Sequence, residues 1–240
     1  MKAARYSSLL PLIGIEHSKF LSSFDIVQLI EKDLKSIYEF LRTTPYEEQM
    51  NFSYQTTVEL QMNMEQALIE NYVHFVQKLI KFSSRYVKEL IRSVLFKYDV
   101  ENLKTIIHLL EIGMKRSEIS TYITPLGYFN REKCDTLLTG VYSINEFIQN
   151  VETFPNPPVQ WFKEAIRGYF NSNDLDQFFH SLETSVYDNI YQKICKLRKR
   201  DRFIATNIIG VEIDAYNLKK ILISRELRFH PEQIKLHLLP

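Results

Sequence analysis

The stretch Asp99-Val100-Glu101-Asn102-Leu103-Lys104-Thr105-Ile106 returns later in the chain as Asp214-Ala215-Tyr216-Asn217-Leu218-Lys219-Lys220-Ile221, an offset of 214 − 99 = 115 residues. The same offset carries Tyr72 onto Tyr187, Ile119 onto Ile234 and Pro125 onto Pro240. A register held at so many positions points to a duplicated structural unit. Residues from about Leu60 to Leu110 and from about Leu175 to Arg225 are therefore expected to form equivalent helical units. Repeated helical units build frames and surfaces, whereas a catalytic pocket is one irregular place.

Helix breakers outline the elements. The 240 residues include only 6 Gly and 8 Pro, with none between Pro45 and Gly113, so long helices are predicted there. Leu60, Met64, Leu68, Tyr72, Phe75, Leu79, Phe82, Tyr86, Leu90 and Val94 step by three or four along one stripe. Ser83-Ser84 marks a bend in it. Upstream, Ile26, Leu29, Ile30, Leu34, Ile37 and Leu41 predict one helix from about Phe24 to Arg42, capped by Ser22 or Ser23 and stopped by Thr43-Thr44-Pro45.

Downstream, Asp99 reads as the N-cap of a helix over Val100–Leu110 that Gly113 ends, and Asp214 as the cap of its repeat. Short helices are predicted from about Ser117 and over Asn130–Leu138. Ser143-Ile144-Asn145-Glu146 fits a capping box. The linker is Thr153–Pro158, followed by helices over Val159–Phe170 and Leu175–Leu197 and a last turn opened by Pro231. No segment alternates with period two for long enough to predict a sheet. The fold class is all-α, divided into units 1–125 and 126–240.

Composition narrows the function classes. The net charge of +1 supplies no general field for nucleic acid or a membrane surface. Lys2 and Arg5 precede an apolar run from Leu9 to Ile15, but Pro11 and Gly14 interrupt it and it reads as an ordinary hydrophobic segment. No run approaches the ~20 apolar residues of a membrane span. Cys134 and Cys195 are distant and read as reduced thiols.

The scattered glycines make no phosphate-cradling loop, and there is no nucleophile elbow. The histidines, including His74 and His108, show no metal-ligand spacing. No catalytic residue, metal or cofactor is expected. Two polar sets stand out. One is the repeated motif, Asp99, Asn102, Lys104 and Asp214, Asn217, Lys219, read as caps and local bonds or as an interface. The other is the basic cluster Lys193, Lys196, Arg198, Lys199, Arg200 and Arg202, read as a solvated helix end or as a dock for an acidic surface.

With these residues in view, the chain resembles the family formed by the C and d subunits of rotary A-type and V-type ATPases. The Asp-x-x-Asn-Leu-Lys helix following a long amphipathic helix carries most of the resemblance. Leu41-Arg42-Thr43-Thr44-Pro45-Tyr46 and, more loosely, Arg5-Tyr6-Ser7-Ser8-Leu9-Leu10 add to it. The resemblance implies a funnel of three similar helical units in pseudo-threefold arrangement. It also implies a non-catalytic rotor part between the central stalk and the membrane proteolipid ring, serving proton or sodium transport. Such a protein is cytoplasmic and meets the membrane only through its complex.

A third unit is expected after the second motif, but the sequence stops at Pro240, the register mate of Pro125, so that unit is absent or truncated. Motif positions Asp99, Asn102, Lys104, Asp214, Asn217 and Lys219 carry over, and Arg198, Lys199 and Arg200 are the docking candidates, with contact expected through polar helix ends. The rival readings are a helical scaffold or adaptor unrelated to rotary ATPases and a helical enzyme without a familiar motif. A deep polar pocket with converging carboxylates would favour the enzyme.

Overall fold

A computed structural model describes residues 9–155 and 159–239. Lys2, Arg5, most of the Arg5–Leu10 segment, the Asn156–Pro158 part of the expected linker and Pro240 lie outside the described residues. Among those described there are helices and no strand. Packing groups the chain into two compact units, 1–88 and 89–240.

The first unit holds α1 (Leu9–His17), α2 (Ser23–Ile30), α3 (Leu34–Leu41) and α4 (Thr57–Phe82). The apolar segment near the N-terminus is thus helical. Pro11 is tolerated because it sits in the first turn, where the missing N–H would have no partner in any case. Glu16 accepts from Lys78 at 3.1 Å and so ties α1 to α4.

The single helix expected over Phe24–Arg42 is two helices. Ser22 and Asp25 form a reciprocal capping box at the start of α2, and Asp33 restarts the chain by accepting from the Ser36 N–H at 2.8 Å. A local cap outcompetes the continuous ladder there, since a short carboxylate satisfies the first orphan amides of α3. Only α3 turns its stripe inward. Tyr38 and Leu41 join Met50, Leu60, Met64 and Ala67 in a small core, and the Tyr38 hydroxyl donates to the Met50 carbonyl at 3.0 Å. The apolar residues Phe24, Ile26, Val27 and Ile30 of α2 are exposed.

Ser83 and Ser84 separate α4 from α5 (Arg85–Glu111), as expected. The helix does not restart at Asp99. That residue lies in the interior of α5, and Asp214 lies in the interior of α11 (Lys199–Glu226). Neither is a cap, because the preceding turns already supply the hydrogen-bond ladder. At 1.5 Å per residue each helix runs roughly 40 Å. Gly113, at φ 73°, ends the α5 segment in the left-handed region that favours glycine.

The remaining helices are α6 (Arg116–Ile119), a 3₁₀ turn (Ser120–Tyr122), α7 (Arg131–Leu138), α8 (Ile144–Thr153), α9 (Val159–Ser172), α10 (Leu175–Cys195) and α12 (Pro231–Lys235). Asn130 caps α7, and Ser143 with Glu146 forms the predicted box on α8. These elements enclose one large core in which Val100, Leu103, Ile106 and Ile107 of α5 meet Phe129, Phe147, Phe162 and Leu182. Shifting α5 by 115 residues gives 200–226, which matches α11, and the same shift carries α6 onto the start of α12.

The Asp33 cap makes a local prediction. Asp33→Ala should lower hydrogen-exchange protection in the first turn of α3, at Ser36 above all, and leave α2 unchanged. Equal protection in the two proteins would mean that α2 and α3 form one helix.

Candidate functional site

Asp99 and Asn102 are three residues apart on α5 and so share one face. Both are buried, Asp99 completely. Their side chains do not bond locally. They reach across to the loop after α6, 22 to 30 residues on. Asp99 accepts from the backbone N–H of Tyr128 at 3.0 Å and of Phe129 at 2.7 Å, one on each carboxylate oxygen. Asn102 donates to the carbonyls of Thr124 at 2.9 Å and Phe129 at 3.1 Å and accepts from the Thr124 N–H at 3.0 Å.

Five backbone bonds therefore hold a loop inside the protein, where unpaired peptide groups would be costly. Gly127 is required by this close approach, since a Cβ there would lie 2.1 Å from Oδ1 of Asp99. Lys133 donates to the Tyr128 carbonyl at 2.9 Å and brings a positive charge near the carboxylate. Burial nevertheless raises the Asp99 carboxyl to about 7, against the lowering effect of the Phe129 and Tyr128 amides and Lys133. The neighbouring Cys134 thiol is pushed up to about 12, by burial first and then by the carboxylates of Asp99 and Asp135. It is an inert core thiol. Cys195 is exposed.

Half of this arrangement recurs in α11. Asn217 donates to the Leu239 carbonyl at 3.0 Å and accepts from its N–H at 2.8 Å. Leu239 is the register mate of Thr124, so the two asparagines make the same pair of bonds. Asp214 does not repeat the role of Asp99 and is exposed. Leu218 is 60% exposed, whereas its mate Leu103 is 1% exposed. Lys104 pairs with Glu101 at 3.3 Å and with Glu183 of α10, while Lys219 is exposed.

The basic cluster divides. Lys193 pairs with Glu89 at 3.5 Å, and Arg202 donates to the carbonyls of Cys195 and Leu197, finishing α10. Arg198, Lys199 and Arg200 are exposed at the N-terminal end of α11. That is the end where the helix dipole disfavours cations, by roughly 0.3–1 kcal/mol each. The expected stabilisation of these three at a helix C-terminus is absent, because α10 ends before them.

A second constellation escaped the sequence reading. Lys97 of α5 pairs with Glu212 of α11 at 2.6 Å, and the Tyr187 hydroxyl donates to the same carboxylate at 2.9 Å. The Tyr216 hydroxyl donates to Glu183 at 2.5 Å. Together with Glu101 these groups line a cavity of about 290 Å³. Burial, then the adjoining carboxylates, pushes both phenols above their ordinary range, so they stay protonated donors. Lys97 and Glu212 are themselves register mates. A charge reversed between equivalent positions was the available signal, and it gains meaning only when the helices are seen side by side. Among the described residues no three potential metal ligands converge.

Comparison with known proteins agrees with this frame. The model of the ATP synthase (C/AC39) subunit family matches residues 12–240, and the chain belongs to that family. It is similar to the C subunit of the A-type ATP synthase of Methanosarcina mazei, with 22% identity over 90% of this chain and 58% of the relative. For the corresponding protein of Methanocaldococcus jannaschii the identity is 26%, over 96% of this chain and 56% of the relative. For that of Methanosarcina acetivorans it is 23%, over 90% and 57%. The chain thus spans less than three-fifths of the length of these relatives.

The asymmetry between the two aspartates is measurable. Asp99→Ala strands two buried amides and should cost about 2–4 kcal/mol by denaturant unfolding. Asp214→Ala should change stability by less than about 0.5 kcal/mol. Gly127→Ala should cost about 1–3 kcal/mol through overpacking against the carboxylate.

Asp99 also sets a pH dependence. Between the ordinary 3.8 and about 7 the folded chain keeps a proton on Asp99 that the unfolded chain has lost. The contribution of Asp99 to stability is therefore complete below the lower value, declines as pH rises through this window, and levels off above it. Unfolding midpoints between pH 4.5 and 7.5 should slope downward in the native chain and lose that component in Asp99→Asn.

Proposed function

We propose that the chain is a non-catalytic part of a rotary A/V-type ATPase, coupling the central stalk to the membrane proteolipid ring during proton or sodium transport. The observation that carries the reading is the family match over residues 12–240, on a scaffold whose two long helices fasten their following loops with the same asparagine clamp. On this reading the units 1–125 and 126–240 are repeats by descent and register. The relatives are named as C subunits of A-type ATP synthases, which supports membership of such a complex.

A passive role is supported by the polar cavity as well. Its carboxylates Glu183 and Glu212 are each engaged by a lysine and a tyrosine and serve as cross-links between α5, α10 and α11. A general acid or base would need a free group of tuned pKa facing a substrate. No described helix is long and apolar enough to cross a membrane, so membrane association would run through partners. Arg198, Lys199 and Arg200 are the proposed docking cations. Their exposed position at an unfavourable helix end is consistent with retention for a partner rather than for stability. The motif residues Asp99, Asn102, Lys104 and Asn217 are assigned to the frame, while Asp214 and Lys219 are exposed.

The test is capture of cognate stalk subunits and proteolipid ring by the tagged chain at low and high salt. Binding should weaken as salt rises, because exposed charges are screened beyond roughly 8 Å at physiological ionic strength. Reversing Arg198, Lys199 and Arg200 to Glu should slow association about tenfold with little change in dissociation. Highly purified chain should hydrolyse no ATP and contain no stoichiometric zinc. Failure of both this chain and a full-length version to bind either partner would overturn the rotor reading.

A further inference from the structure

The second unit contains another, larger cavity of about 820 Å³, walled by α5, α10, α11 and the segment 229–237 that carries α12. Three basic side chains from three elements line it, each without an ion pair among the described residues: His180 from α10, Lys220 from α11 and His237 from the turn after α12. The two imidazole rings lie 5.7 Å apart between centroids, at 74° to each other. Nδ1 of His180 is enclosed and has no hydrogen-bond partner, which leaves Nε2 as the ring nitrogen open to the cavity. Lys220 is half-buried. Buried polar groups ordinarily find partners, and like charges are ordinarily kept apart.

The carboxylates around the cavity do not supply the counter-charge. From α5, Glu101 pairs with Lys104 at 3.3 Å, and His108 meets Glu111 at 3.3 Å. From α10, Glu183 is engaged by Lys104 and by the Tyr216 hydroxyl, and Asp176 is exposed in the first turn. The histidine records the result. Its pKa is lowered by burial first, then by His237 and, against the pull of Glu183, by Lys220.

We propose that this cavity binds a phosphate monoester with an apolar body, the phosphate lying between His180, His237 and Lys220. A tetrahedral dianion accepts from several N–H donors at once and turns their mutual repulsion into attraction. The cavity is far larger than a phosphate ion needs and falls within the roughly 300–1,000 Å³ of small-molecule sites. Phe179, Ile223, Leu227 and Ile234 in its lining suit an apolar body. The proposal goes beyond the rotary reading and does not depend on it, and its test uses no stalk or ring subunit.

Binding is coupled to protons, because the histidines carry positive charge only when protonated. Proton and anion then raise each other's affinity by the same factor. The soluble probe is phenyl phosphate. In NMR of the 240-residue chain, saturating probe should move the titration midpoints of His180 and His237 upward by at least about half a pH unit, with signals assigned through His180→Gln and His237→Gln. By reciprocity, sulfate, whose charge is constant over this range, should bind at least about threefold more tightly near pH 5.5 than near pH 8.

Lys220→Gln should weaken phenyl phosphate about tenfold, and Lys220→Arg should restore most of the affinity. Arg198→Gln with Arg200→Gln, on the exposed cationic patch, should leave it unchanged. The melting midpoint without probe should be the same in Lys220→Gln as in the native chain, which separates a lost contact from a lost fold. A second arm uses phosphatidylcholine vesicles with and without phosphatidate. Capture that requires phosphatidate and is lost in Lys220→Gln would place the phosphate on a lipid, whereas binding of the soluble ester alone would place it on a free small molecule. Histidine midpoints unmoved by saturating probe would overturn the proposal. So would affinity unchanged by Lys220→Gln, or absence of binding by both arms with phenyl phosphate at about 10 mM.

Discussion

The second unit depends on a carboxylate and an amide pointing out of the middle of α5 into the protein. A loop cannot normally be buried, because its peptide groups lose water and find no ladder. Asp99 and Asn102 replace that water with five directed bonds to residues 124–129. The loop can then run through the interior, Phe129 can fill the core without solvent exposure, and α7 to α9 start from a fixed point. The arrangement has an electrostatic cost. The fully buried carboxylate accepts only two amide bonds, and the nearby charge of Lys133 offsets burial only in part, so its pKa is raised to about 7.

The second copy of the motif separates two roles that the first combines. Asn217 keeps the clamp on Leu239, whereas Asp214 faces outward. Asn102 and Asn217 thus fasten the segment that follows each helix, whereas of the two aspartates Asp99 alone is buried. Identical residue types in identical register have opposite burial because burial is a property of the surroundings. Between the helices, Lys97 and Glu212 occupy equivalent positions and attract each other. A strict repeat would have placed like charges, or none, at that contact.

The chain belongs to the ATP synthase (C/AC39) subunit family. Its long helices are joined by buried clamps and side-chain cross-links. Its exposed surfaces include a cationic patch at Arg198–Arg200 and an apolar stripe along α11 through Ile208, Leu218 and Leu222.

The sequence by itself determined a good deal. The scarcity of glycine and proline and the apolar stripes specified helices, the bend at Ser83-Ser84 and the stop at Gly113, because those signals act within one or two turns. Ser143 with Glu146 announced its capping box for the same reason. The repeat identified the residues that matter. It did not reveal what they do. Asp99 has the local look of a cap, since a short carboxylate satisfies helix amides, and only the tertiary fold shows that the amides it satisfies lie 29 and 30 residues further along. The break at Asp33 was hidden by an apolar pattern that runs across it. The Lys97–Glu212 pair and the open face of α11 were likewise decided by tertiary structure. Propensity and capping are short-range in sequence, whereas burial and charge pairing depend on distance in space, which a chain sets only once it has folded.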